Sequence, residues 1–163
     1  MPRHPERFEA VHVLCQREGF ASVRRSSGQP VGVSDQVLLG DSMGELLFLY
    51  ALADVAFVGG SLVPNGGHNL LEPAALSLPV LSGSHLFNFL EIAAQMREAG
   101  ALVEVADGEA LMQQLRQLLA SDAWRQSMAE AGLGVLKANQ GALVRLLGGL
   151  ECLLGASVMA RAR

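Results

Sequence analysis

Residues 59–72, GGSLVPNGGHNLLE, constrain this chain more than any other stretch. An apolar run, DVAFV, precedes them and reads as a buried strand, and HNLLEPAALS, which overlaps their end, reads as a short helix. Between the two, four glycines, a proline and an asparagine fall within nine residues. Glycine removes the side chain that keeps a ligand at a distance and tolerates positive φ, so the loop is suited to close backbone approach. Such a loop, at the carboxyl end of a strand and leading into a helix N-terminus, is where α/β sheets receive anionic ligands. Glu72 stands one helical turn further on, where a carboxylate repels phosphate and suits sugar hydroxyls. The stretch reads as a nucleotide or nucleotide-sugar site.

The same alternation recurs on either side. Strands are expected at 20–23, 37–40, 54–58, 79–81 and 101–105, from short apolar runs bounded by turn residues. Helices are expected at 5–18, 43–53, 69–77, 88–99, 109–119, 124–139 and 142–154. Ser42 three residues before Glu45 fits a capping box, and Gly19 and Gly100 are placed to end helices. The spacing is that of βαβ units, so the fold class is α/β: a Rossmann-like parallel sheet with helices on both faces. PRHPERF has the pattern of a strand end running into a helix, which predicts that upstream residues supply a further strand and that the chain is a fragment. Residues 140–163 read as a carboxyl-terminal helix and tail.

With 163 residues, half of them hydrophobic and 17% charged against about a quarter in an average domain, the chain can bury a sizeable core. A net charge of -4 and no basic cluster with interleaved aromatics argue against nucleic acid as a partner. Cys15 and Cys152 lack metal-site spacing and read as ordinary thiols. No secretory pattern opens the chain, and the apolar stretch 142–160 is interrupted by Arg145 and Glu151, so the chain is expected to be soluble.

Neither G-x-G-x-x-G nor the P-loop pattern is present, which disfavours a dinucleotide dehydrogenase or P-loop NTPase, and no G-x-S-x-G elbow marks a hydrolase. Gly66 and Gly67 before a helix read equally as a tight turn and as amides facing a phosphate. The Asp41-Ser42-Met43-Gly44 turn, taken as lying on a neighbouring strand, tips the balance towards a shared crevice. Arg3 and His4 fit a solvated terminus and a phosphate clamp equally well. His12 reads as a boundary histidine on an apolar helix face; His68 borders the glycines, and His85 is open to either role. No cofactor or metal is implied.

PRHPERF, DSMGEL and FVGGSLVPNGGHNLLEPAALSLPVLSGSHLFNFLEI, in that order, resemble the carboxyl-terminal half of bacterial 3-deoxy-D-manno-octulosonic acid (Kdo) transferases, over residues 3–140. The resemblance implies one half of a GT-B glycosyltransferase, the domain that binds the donor CMP-Kdo or its product CMP. It implies a missing amino-terminal domain that binds the lipid A precursor and holds the general base, so that no catalytic residue is expected here and the fragment alone is inactive. Transfer would belong to lipopolysaccharide biosynthesis on the cytoplasmic face of the inner membrane, with membrane association through the parent protein. Carried over by position, Pro2 and Arg3 lie near the CMP phosphate and Met43 and Gly44 beside the nucleotide. Gly66, Gly67 and Asn69 form the phosphate-facing loop, and Glu72 meets the ribose hydroxyls. Ser42, Asn65, Leu70 and Ser84 stand where threonine, isoleucine, proline and proline are common in the family. The alternatives are another GT-B transferase, a sugar-nucleotide epimerase, or a nucleotide-binding module without chemistry.

Overall fold

Among the described residues five short strands carry the architecture, and all of their pairings are parallel. The computed structural model describes residues 1–141 and 146–150. In chain order the elements are α1 (Phe8–Arg17), β1 (Ser22–Arg24), β2 (Val37–Leu39), α2 (Leu46–Tyr50), β3 (Ala56–Val58), α3 (Leu71–Ala75), β4 (Val80–Gly83), α4 (Leu90–Glu98), β5 (Leu102–Val105), α5 (Gly108–Ala120) and α6 (Asp122–Asn139). Short 3-10 turns at Pro5–Arg7 and Arg25–Ser27 precede α1 and follow β1.

The strands form two ladders where the sequence suggests one sheet. β1 pairs with β2, and β3, β4 and β5 pair in that order. The turns after β2 and β3 are therefore not on hydrogen-bonded neighbours, which corrects the adjacency expected for the Asp41 and Gly66 turns. The larger ladder is covered on both faces. Val58, Val80 and Leu102 pack on one side with Leu70, Ala74, Ala93 and Met96, while Leu81, with Phe57 and Val103, packs on the other with Leu118, Met128 and Trp124. This division is the period-two alternation of a strand made visible. Leu81, Leu118 and Met128 are at most 1% exposed, and burying each such side chain stabilises the fold by about 1.5–3 kcal/mol.

Helix boundaries move for identifiable reasons. The 3-10 turn at Pro5–Arg7 delays α1 to Phe8. Gly44, at φ +82°, keeps Met43 and Gly44 out of α2, and the expected capping box is absent: the Ser42 hydroxyl bonds the Glu45 carboxylate, and no side chain caps the helix. In α3 the left-handed Ser77 (φ 59°) closes the chain back, with Leu78 N–H donating to the Pro73 carbonyl at 3.2 Å. α5 and α6 start where their caps dictate, Asp107 accepting from Ala110 N–H and Ser121 from Trp124 N–H. α6 continues through Gly132 and Gly134, which the sequence reads as interruptions. Its buried face is Met128, Ala129, Gly132 and Val135, with Leu133 and Leu136 half-buried. Of the helix expected at 142–154, the described part, 146–150, is helical; the rest of it, the tail and Cys152 lie outside the described residues. Among the described residues no helix is long and apolar enough to cross a membrane.

Candidate functional site

Loops at the carboxyl ends of β2 and β3 meet the amino-terminal residues 1–3, and the loop after β4 packs on the loop after β3. Two contacts tie these residues to both ladders. A Cβ on Gly40, just after β2, would lie 3.1 Å from Met1 Cβ, and Arg3 Nη1 lies 3.0 Å from His68 Nδ1 in the loop after β3. Guanidinium is only a donor, so His68 accepts through Nδ1 and carries its proton on Nε2. Burial, then the Arg3 charge, push the His68 pKa down, which favours that neutral ring.

The glycine loop is held from inside. Gly67 N–H donates to the Gly60 carbonyl at 2.9 Å, so this amide closes the loop and does not face a phosphate as the sequence suggests. Gly66 and Gly67 have φ of 86° and 70°, and both are buried under the β4 loop. An added Cβ would collide with Asn88 and sit 2.6 Å from the Phe87 ring at Gly66, and would sit 2.5 Å from Leu86 at Gly67. Glycine is required here by backbone conformation and by a neighbouring loop together.

Asn69 and Glu72 form a unit. Asn69 Oδ1 accepts from Leu71 N–H at 3.0 Å, opening α3 with an Asx turn, and Asn69 Nδ2 reaches Glu72 Oε1 at 3.3 Å. Glu72 is half-buried in the first turn, and its charge adds to burial in pushing the Tyr50 phenol up. α3 has only five residues, so its dipole offers little to an anion, less than the sequence implies. Pro2 is half-buried and Arg3 exposed. Met43 is 64% exposed, and nothing lies within 4 Å of a Cβ placed on Gly44. Arg3, through His68, thus joins the segment from β3 to α3 that carries Gly66, Gly67, Asn69 and Glu72, while Pro2 stands beside Arg3 in the chain and Met43 and Gly44 lie in the turn after β2.

The sequence reading passed over the polar network beneath Met43 and Gly44. Asp41, with no exposed side-chain surface, accepts from Arg24 Nε at 2.6 Å, Ser26 N–H at 2.8 Å and the Ser26 hydroxyl at 2.5 Å. Burial pushes its carboxyl up, but the Ser26 donors and the Arg24 guanidinium outweigh it and hold the pKa at about 2. Arg24 also reaches Glu9 on α1 at 2.7 Å. Arg25 Nη2 bonds Glu45 at 2.8 Å, and its guanidinium lies 5.6 Å from the centre of the Phe48 ring. The only sequence signal was the Arg24-Arg25 pair in a loop otherwise rich in turn residues. Among the described residues, no three His, Cys, Asp or Glu side chains gather as metal ligands would. A groove of about 400 Å³ between α4 and α6 is lined by none of the candidate site residues.

Residues 29–134 match the family described as glycosyl transferases group 1. The chain is 48% identical over 148 residues to the 3-deoxy-D-manno-octulosonic acid transferase of Haemophilus influenzae, covering 90% of this chain and 35% of that protein. It is 45% identical over 157 residues to the enzyme of the same name from Bordetella pertussis, covering 95% and 36%. The chain thus spans about a third of the length of the curated relatives it matches. Among solved structures, the C-terminal CMP-Kdo binding domain of WaaA from Acinetobacter baumannii aligns with a TM-score of 0.81 at 41% identity, over 83% of this chain and 71% of that one. The parallel α/β architecture is one half of a GT-B fold, and the chain belongs to the glycosyl transferases of group 1.

Proposed function

We propose that this chain is the donor-binding domain of a Kdo transferase, holding CMP-Kdo while a second domain of the parent protein brings the lipid A precursor. The observation that carries the reading is the convergence of Arg3, the Gly66-Gly67 loop, Asn69 and Glu72 at the end of β3, on a fold that aligns with a CMP-Kdo binding domain. Arg3, oriented by neutral His68, faces the phosphate. The loop carrying Gly66 and Gly67 admits it closely, and Glu72, steadied by Asn69, accepts from the ribose hydroxyls. Met43 and Gly44 offer exposed backbone to the nucleotide.

Transfer breaks the bond between the sugar carbon and a phosphate oxygen, and the electron pair leaves with CMP. Negative charge grows on that phosphate in the transition state, so a fixed guanidinium beside it stabilises departure. The acceptor hydroxyl must lose a proton, and the base that takes it belongs to the other domain. The domain alone binds and does not turn over. The parent works at the cytoplasmic face of the inner membrane, where its acceptor resides, in lipopolysaccharide synthesis.

The test is an amide-detected NMR titration of the 163-residue chain with CMP. Shifts are expected at Arg3, Met43, Gly44, Gly66, Asn69 and Glu72. Glu72→Ala is expected to weaken binding by about tenfold or more, the loss of charge-assisted hydrogen bonds. No response at millimolar CMP overturns the donor-site reading; a wild-type response with unchanged Glu72→Ala affinity overturns the ribose role alone.

A further inference from the structure

We infer that Asp41 is a positioning residue for the nucleotide, acting through the Met43-Gly44 turn that it and Glu45 hold from either end. The inference rests on the donor-site reading above and extends it to residues that make no contact with ligand themselves.

The turn has fixed ends and a free middle. Asp41 lies before it, buried, bonded to Arg24 Nε, Ser26 N–H and the Ser26 hydroxyl. Glu45 follows it, bonded to the Ser42 hydroxyl and to Arg25 Nη2. Between them Met43 is exposed, and Gly44 takes a left-handed φ of 82° with open space beside it. The parallel register that pairs Arg24 with Leu39 brings the two arginines to the two carboxylates. Through Glu9 the same network reaches α1, which follows the segment carrying Arg3.

Stability alone does not account for this arrangement. Burying the Asp41 carboxylate costs hydration, Arg24 stays 32% exposed so that water screens the pair, and well-packed apolar replacements of ion pairs are often neutral or stabilising. What an apolar pair lacks is direction. Three donors converging on one carboxylate fix the backbone at Asp41, and so fix where the next peptide groups point. A turn that must present backbone groups to a ligand gains from that constraint, because less freedom is lost on binding.

Two variants test the role. Asp41→Asn keeps the shape and removes the charge, and Arg24→Met/Asp41→Leu replaces the pair by apolar groups. Both are expected to displace the Met43 and Gly44 amide resonances before ligand is added, leaving Gly66 and Asn69 in place, and to raise the CMP dissociation constant by about tenfold. The double variant leaves the Ser26 N–H and hydroxyl without their acceptor, so its Tm is expected to fall with its affinity, and Asp41→Asn, which keeps an acceptor oxygen, carries the comparison. Wild-type affinity in either variant overturns the inference, and so does a spectrum in which the Gly66 loop moves as much as the Met43 turn. Absence of any CMP response in the wild-type chain overturns the donor-site reading, and this role with it.

Discussion

Asp41 shows how one side chain sets a pH dependence. Its carboxyl, ordinarily at 3.8, is held at about 2 in the fold. A depressed carboxyl contributes stability that is fully present above the unfolded value and is lost as pH falls through the folded one. The contribution should therefore be complete above about pH 4 and should fade towards about pH 2. Thermal unfolding of wild type and Asp41→Asn between pH 2 and 7 checks this: the Tm gap is expected to be widest near neutrality and to narrow through the acid window. A gap independent of pH would mean that the carboxylate charge is not what Arg24 and Ser26 hold. Glu45, drawn down by the Ser42 hydroxyl and by Arg25, titrates in the same direction, which is why the comparison is made between variants and not on wild type alone. At this scale the sequence was only partly readable. Asn69 and Glu72 are marked by their place beside a glycine loop and Arg3 by its place in PRHPERF, whereas Asp41 and Arg24 stand 17 residues apart and meet only through strand register.

Among the elements, the loop between β3 and α3 carries the sharpest prediction. Gly66 is left-handed and packed under Asn88 and Phe87. Alanine there meets both a backbone penalty and overpacking, together about 2–4 kcal/mol. Denaturant melts of Gly66→Ala should show that loss with an unchanged m-value. A cost below about 1 kcal/mol would show that the β4 loop yields and that glycine is retained for ligand access. The elements also mark where reading a sequence stops. The five expected strands and six of the seven expected helices are present, with shifted ends, among the described residues, because apolar runs and turn residues report period and punctuation. The shortening of α2 and α3 was not legible. It depends on Ser42 bonding the Glu45 carboxylate in place of a backbone amide, and on Ser77 adopting φ 59°. Both are choices among competing hydrogen bonds that only tertiary contacts decide.

At the scale of the molecule, the described residues build two parallel ladders of unequal strength, and this predicts unequal cooperativity. β3, β4 and β5 are sandwiched between two apolar clusters, and every residue of β4 is buried. β1 and β2 contribute only Val23 and Leu39 to the buried apolar residues, and Arg24 and Arg25 add polar bonds to Asp41 and Glu45. The link from the amino terminus to both ladders runs through Met1 beside Gly40 and Arg3 on His68. Burial governs how much of the structure must open before an amide exchanges. Native-state hydrogen exchange should therefore place Leu81 and Ser82 at the free energy of global unfolding, with Val23 and Leu38 opening at lower cost. Saturating CMP should raise protection at β1 and β2 more than at β4, because the nucleotide would bridge Gly44 on one ladder and Glu72 on the other. Equal protection in both ladders without ligand would mean that residues 1–3 and the Arg24 network already couple them into one cooperative unit. The donor site would then be preformed, and CMP would bind without ordering it.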